Sequence, residues 1–155
     1  MPTIILAHSA NLFLDPTFQS KLQKAKDKNL VHNIGVSLYN EEEINQVIYS
    51  KITPNVIQLP MNILDARLYR LEVLNKLFDR GIKIHVRSAF LQGLFYLTKA
   101  ELENGFKDVI PYLEKLKSIA ADSGLTLSEL SLLWLVSLKE VSKVIIGVDN
   151  VNQLK

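Results

Sequence analysis

There is no cysteine among the 155 residues. That excludes disulfides, thiolate nucleophiles and cysteine-ligated metals, and it fits a cytoplasmic protein. Histidine is nearly as scarce: His8, His32 and His85 are scattered along the chain, so no metal-ligand spacing exists. No apolar run approaches the roughly 18 residues of a membrane span. The first residues are apolar but too few, and lack the cationic lead, for a signal peptide. Excess charge is missing too, because 18 Lys and Arg interleave with 16 Asp and Glu for a net +2. Without a basic block or an acidic tail, neither nucleic acid nor a disordered partner arm is indicated. No repeat, low-complexity segment or linker divides the chain. What remains is 48% hydrophobic content, enough for one domain over residues 1–155 with a sizeable core.

Short β-branched runs alternate with longer stretches of helical period. Strands are expected at Thr3–Ala7, Asn33–Ser37, Asn55–Leu59, Ile82–Arg87 and Val141–Ile146. Asp15-Pro16 opens the first helix, through Lys21, Leu22, Ala25 and Lys28. Asn40 opens the second, whose Glu41, Glu42 and Glu43 suit the positive end of the helix dipole; Ile44, Val47 and Ile48 form its apolar face. A helix over Tyr69–Arg80 places Leu71, Leu74, Leu77 and Phe78 on one side and stops at Gly81. Thr98 to about Lys107 reads as a polar connection. Val109–Ala121 follows as a helix with Leu113, Leu116, Ile119 and Ala120 in its stripe, broken by Ser123-Gly124. Thr126 or Ser128 caps the last helix, in which Leu130, Leu133, Trp134 and Leu138 read as core.

Continuous apolar strands separated by amphipathic helices imply an α/β fold with a parallel sheet. Periodicity leaves two architectures, an open doubly wound sheet or part of a (β/α)8 TIM barrel. In both, ligands meet the carboxyl ends of the strands. The polar residues there are His8, Ser37, Gln58 with Asn62, Arg87 with Ser88, and Gly147 to Asn150.

The order of these motifs, taken over nearly the whole chain, resembles the aldo/keto reductases. The residues are His8-Ser9 after a strand, Gly35-Val-Ser37, Gln58-Leu-Pro-Met-Asn62, Arg87-Ser-Ala-Phe-Leu-Gln-Gly93 and Ile145-Ile-Gly-Val-Asp-Asn-Val-Asn-Gln-Leu154. The resemblance implies strands four to eight of an eight-stranded TIM barrel, with their helices. By it, His8 is the catalytic histidine that hydrogen-bonds a substrate carbonyl. Ser37 and Gln58 fix the nicotinamide carboxamide. Ser88, Phe90 and Gly93 lie in the loop around the pyrophosphate, and Gly147, Asp149 and Gln153 hold the adenosine end. The chemistry suits those roles. A neutral imidazole polarises a carbonyl by donating a hydrogen bond, and a glutamine amide donates and accepts at once. Glycine lets backbone N–H groups approach a phosphate.

The chain also departs from the family pattern. The proton-donating tyrosine, with its lysine and aspartate, belongs to strands that precede this sequence, and Tyr39, Tyr69 and Tyr96 do not replace it. Leu38 stands where the family often has asparagine. Asp149 stands where a hydroxyl or cationic residue commonly meets a 2′-phosphate. The cofactor expected is therefore NADP or NAD.

Plainer roles stand beside these. His8 and Gln58 could simply satisfy strand ends, and Asn62 could form an Asx-turn. Arg87 is expected in an ion pair with Asp65 or Glu101. His32 reads as a loop residue and His85 as sheet-flanking.

Two functional expectations follow. One is a truncated oxidoreductase chain that reduces a small aldehyde or ketone only with its complementing N-terminal half, and turns over little alone. The other is a non-catalytic half-barrel that binds a dinucleotide or forms a homodimer through open sheet edges. No edge charges flank Val86 or Ile145 to block such pairing.

Overall fold

The five apolar runs pair side by side. In the computed structural model, which describes residues 3–148 and 151, they form β1 (Ile4–Ala7), β2 (Asn33–Ser37), β3 (Val56–Pro60), β4 (Lys83–Arg87) and β5 (Val141–Val144). All pairings are parallel, and the spatial order is the chain order, β1-β2-β3-β4-β5. That order decides between the two architectures. A doubly wound sheet reverses direction at a switch point. Right-handed crossovers between successive neighbours instead put every helix on one face, as in a stretch of β/α barrel.

The two faces differ sharply. Ala7, Val36, Ile57 and Ile84 lie in register on one face and are each 0% exposed, the mark of a face covered by helices. Ser37, Gln58, His85 and Lys143 lie in register on the other. Below them on that face come Leu6, Gly35, Val56 and Lys83. Gly35 sits where β1 and β3 crowd β2. A Cβ there would collide with the Val56 carbonyl oxygen and the Leu6 side chain. A bulge at Ile84/His85 re-aims β5, and the Ser142 hydroxyl accepts from the Ile84 N–H at 3.3 Å.

The helices are α1 (Ala10–Leu14), α2 (Pro16–Asp27), α3 (Glu41–Ile48), α4 (Arg67–Arg70), α5 (Val73–Asp79), α6 (Lys99–Glu103), α7 (Ile110–Asp122) and α8 (Leu127–Ser137). Asp15 and Asn40 cap α2 and α3 through their side chains. Thr126 caps α8 in a capping box with Glu129. Among the described residues no single helix is long and apolar enough to cross a membrane.

Several expectations need correcting. The helix over 69–80 is two pieces, because Glu72 takes a left-handed conformation (φ 56°) between α4 and α5. That break turns Leu71 and Phe78 outward, while Leu74 and Leu77 stay buried. The polar connection contains α6, whose capping box joins Thr98 and Glu101. Ile119 is exposed, leaving Leu113 and Ala120 as the buried members of α7. In α8 the buried residues are Leu127, Ser131 and Leu135. Leu133 is exposed, and Trp134 is half-buried edge-on to Tyr69. His85 lies within β4 itself and is buried. β5 stops at Val144, two residues short of the expected end. Val86 is interior to the sheet, since β4 pairs on both sides. The edges among the described residues are β1, which carries no charge, and β5, which carries the exposed Lys143.

Candidate active site at the carboxyl ends of the strands

β4 runs out at Arg87 into a loop with unusual backbone. Ser88, Leu91 and Gln92 have φ of 62°, 48° and 53°, and Gly93 follows at 92°. Left-handed conformations cost energy outside glycine and persist only where surroundings enforce them. Two side chains hold the start of the loop. Asn62 donates from Nδ2 to the Ser88 carbonyl at 3.4 Å, and the buried Ser131 hydroxyl donates to the Ala89 carbonyl at 2.9 Å. Asn62 also closes an Asx-turn, its Oδ1 accepting from the Leu64 and Asp65 N–H groups. The loop is thereby tied to both β3 and α8.

Between this loop, α8 and the segment after β5 lies an open cleft of about 620 Å³. Ser88, Phe90, Gly93 and Gly147, four residues singled out from the sequence, line it together. Arg87, Gln92, Tyr96, Ser128 and Glu129 add to its polar lining. Tyr96 stacks edge-on against Phe90 and accepts from the Ser128 hydroxyl at 2.9 Å. A Cβ added at Gly93 or Gly147 would meet no atom within 4 Å, so both backbones face open space. The wall therefore presents open backbone and an aromatic face. Asp149 and Gln153 lie outside the described residues.

Ser37 and Gln58 stand one strand apart in register, and the Ser37 hydroxyl donates to Gln58 Oε1 at 3.4 Å. Among the described residues the Gln58 amide nitrogen makes no hydrogen bond. His8 follows β1 one residue past the Ala7–Val36 pairing, level with Ser37, and is exposed. His8, Ser37 and Gln58 form no part of the cleft lining; they are neighbours along the strand tips.

His85 shares the Gln58 row. Burial, then Lys143 and Lys83, hold its imidazole below the usual range and favour the neutral form. Asp65 is held below the usual carboxylate range chiefly by its hydrogen bond with Arg67, at 2.7 Å. This overturns the ion pair expected for Arg87. Asp65 belongs to Arg67, and Glu101 accepts from Thr98. The Arg87 guanidinium instead lies over the Tyr39 ring, 4.5 Å from its centroid. Its Nη1 donates to the Ser88 hydroxyl at 3.4 Å, and its buried Nη2 has no hydrogen-bond partner among the described residues. The sequence marked Arg87 as a strand-end residue but misassigned its partner, because an arginine with acids available most often pairs with one.

Comparison with known proteins agrees with this arrangement. The family model described as "Aldo/keto reductase family" matches residues 13–155.

The chain belongs to the aldo/keto reductase family.

The family match begins after His8, so that residue rests on the local motif alone. No curated protein matches the sequence. Among solved structures, the thermostable aldo-keto reductase Tm1743, in complex with the inhibitor epalrestat, is similar at 20% identity and TM-score 0.70, over 98% of this chain and 51% of that one. Aldo-keto reductase AKR11C1 from Bacillus halodurans, in holo form, gives 19% identity and TM-score 0.76 over 99% and 50%. The aldo/keto reductase from Klebsiella pneumoniae, in complex with NADP and acetate, gives 12% and 0.62 over 94% and 48%. These likenesses show the fold. The chain spans about half the length of the aldo/keto reductase structures it matches.

Proposed function

We propose that this chain is the cofactor-holding half of a cytoplasmic reductase that reduces an aldehyde or ketone with NADP or NAD. The observation that carries the reading is the convergence of Ser88, Phe90, Gly93 and Gly147 on one cleft beyond the strand tips. The open backbone at both glycines and the unpartnered Arg87 nitrogen fit a dinucleotide phosphate. When bound, the reduced nicotinamide supplies the hydride. Gln58, oriented by Ser37, holds the carboxamide by donating and accepting. His8 donates a hydrogen bond to the substrate carbonyl and so draws charge toward its oxygen. Phe90 and Tyr96 shield the cleft wall from water. Gly93 and Gly147, with no Cβ, would let a pyrophosphate approach the backbone closely.

This chain carries no tyrosine placed to deliver the proton. Loss of a positioned general acid costs about 10²- to 10⁴-fold in rate, so the chain alone turns over little. A complementing N-terminal half would restore activity.

Titration with millimolar NADPH and NADH tests the reading, followed by melting temperature and Trp134 fluorescence. A saturable rise in melting temperature, without carbonyl-dependent oxidation, is the expected result. No shift with either nucleotide would overturn it.

A second reading, a non-catalytic module that pairs with itself, is favoured by the uncharged β1 edge, Ile4–Ala7. The exposed Lys143 opposes pairing at β5, so a homodimer would join through β1.

A further inference from the structure

We infer that Arg87 is an oxyanion site at the mouth of the sheet, binding a phosphoryl or carboxylate group of the ligand. Three independent features converge on it. The guanidinium lies over the Tyr39 ring, 4.5 Å from its centroid, which restrains its position. Its Nη2 is buried without a partner, so the protein has removed this donor from water and left its hydrogen bond unmade. Among the described residues no carboxylate forms a salt bridge with it; Asp65 is held by Arg67, Glu43 by the Tyr39 N–H at 2.7 Å, and Glu129 by Thr126.

The placement is equally telling. Arg87 pairs in register with Pro60, one step above the Gln58–His85 row, and lines the cleft beside Ser88. It thus stands between the Ser37–Gln58 pair and the glycine-lined wall. Lys83 and Lys143, lower on the same sheet face, both act on His85 and add positive field there. Guanidinium geometry favours a forked contact with phosphate or carboxylate oxygens over a point contact.

The identity of the anion's carrier depends on the reductase reading; the anion site itself does not. If the anion belongs to the carbonyl substrate, the substrate class is an oxo acid or a phosphorylated carbonyl compound. If it belongs to the cofactor, the anion is the pyrophosphate.

The test uses the full chain with phosphate, pyrophosphate and pyruvate as small-anion probes, and with NADPH separately. Wild type, Arg87→Met, Arg87→Lys and Tyr39→Leu are compared by calorimetry and thermal melting. Wild type is expected to bind at least one small anion saturably, more weakly at higher salt. Arg87→Met should bind it about 10- to 100-fold more weakly, the loss of one charge-assisted hydrogen bond. Arg87→Lys and Tyr39→Leu should fall between, and Tyr39→Leu serves if Arg87→Met fails to fold. Without anions, Arg87→Met should melt no lower than wild type, because it removes a partly buried cation whose Nη2 is desolvated and makes no hydrogen bond among the described residues. A structural arginine would give the opposite.

NADPH binding unchanged in Arg87→Met assigns the anion to the substrate. Weakened NADPH binding that competes with pyrophosphate assigns it to the cofactor. Anion binding without any NADPH binding keeps the site and removes the reductase reading. Equal anion affinity in wild type and Arg87→Met, or no binding of any probe by wild type, overturns the proposal.

Discussion

At the scale of single residues, the sharpest contrasts are between side chains of similar type. His85 and His8 are both imidazoles at one level of the sheet, yet only His85 is buried between lysines. Its depressed folded-state pKa means the unfolded chain binds more protons below about 6.5, the ordinary imidazole value. His85 therefore favours folding fully above that pH, and the contribution is lost as pH falls through the folded value. Replacing His85 with Gln should flatten the acid side of a melting-temperature profile across the imidazole range. An unchanged profile would refute this. Gly35 gives a second residue-scale prediction. Gly35→Ala forces β2 and β3 apart at the Val56 carbonyl, and overpacking of this kind costs about 1–3 kcal/mol or more. Chemical denaturation would show it as a lower midpoint at unchanged slope. Glycine at this position was legible only as part of a strand motif, because its crowding comes from two other strands.

At the scale of elements, local chemistry wrote most of the boundaries into the sequence. Asp15-Pro16, Asn40 and Thr126 each begin a helix where expected, since capping needs only neighbouring residues. Thr126→Ala should remove the α8 cap at about 0.5–2 kcal/mol and lower the melting temperature by a few degrees, measurable by circular dichroism. A variant melting with wild type would show the box to be idle. Elements decided by tertiary context were harder to read. The Leu71–Glu72 break carries no proline or glycine, so the apolar period runs through it unmarked. The Ser88–Gly93 loop announces itself only by Gly93. Its opening residues, Ser88 and Ala89, are held by Asn62 and Ser131, which lie 26 and 42 residues away from the carbonyls they bond. The convergence of loop and β5 segment on one cleft was expected from the strand-tip rule. The Arg87 environment was not, since it depends on Tyr39, which follows β2, meeting Arg87 at the end of β4 across the intervening β3.

At the scale of the whole molecule, sequential strand order and a one-sided apolar face make this a stretch of barrel whose other face is polar along one row. The edge strands β1 and β5 differ in charge, so association should be directional. Light scattering after size exclusion should find Ile4→Lys less associated than wild type, because a charge on β1 blocks edge pairing. Equal masses for the two would remove the β1 interface.

The central claim is that a dinucleotide is held where the β4 loop and the segment after β5 face each other. The most direct measurement is nuclear magnetic resonance of the labelled chain during titration with NADPH. The backbone amides of Ser88–Gly93 and Ile145–Val148 should move together and saturate at one concentration, while Ala120 on α7 stays still. Shifts confined to other surfaces, or none at saturating nucleotide, would contradict it.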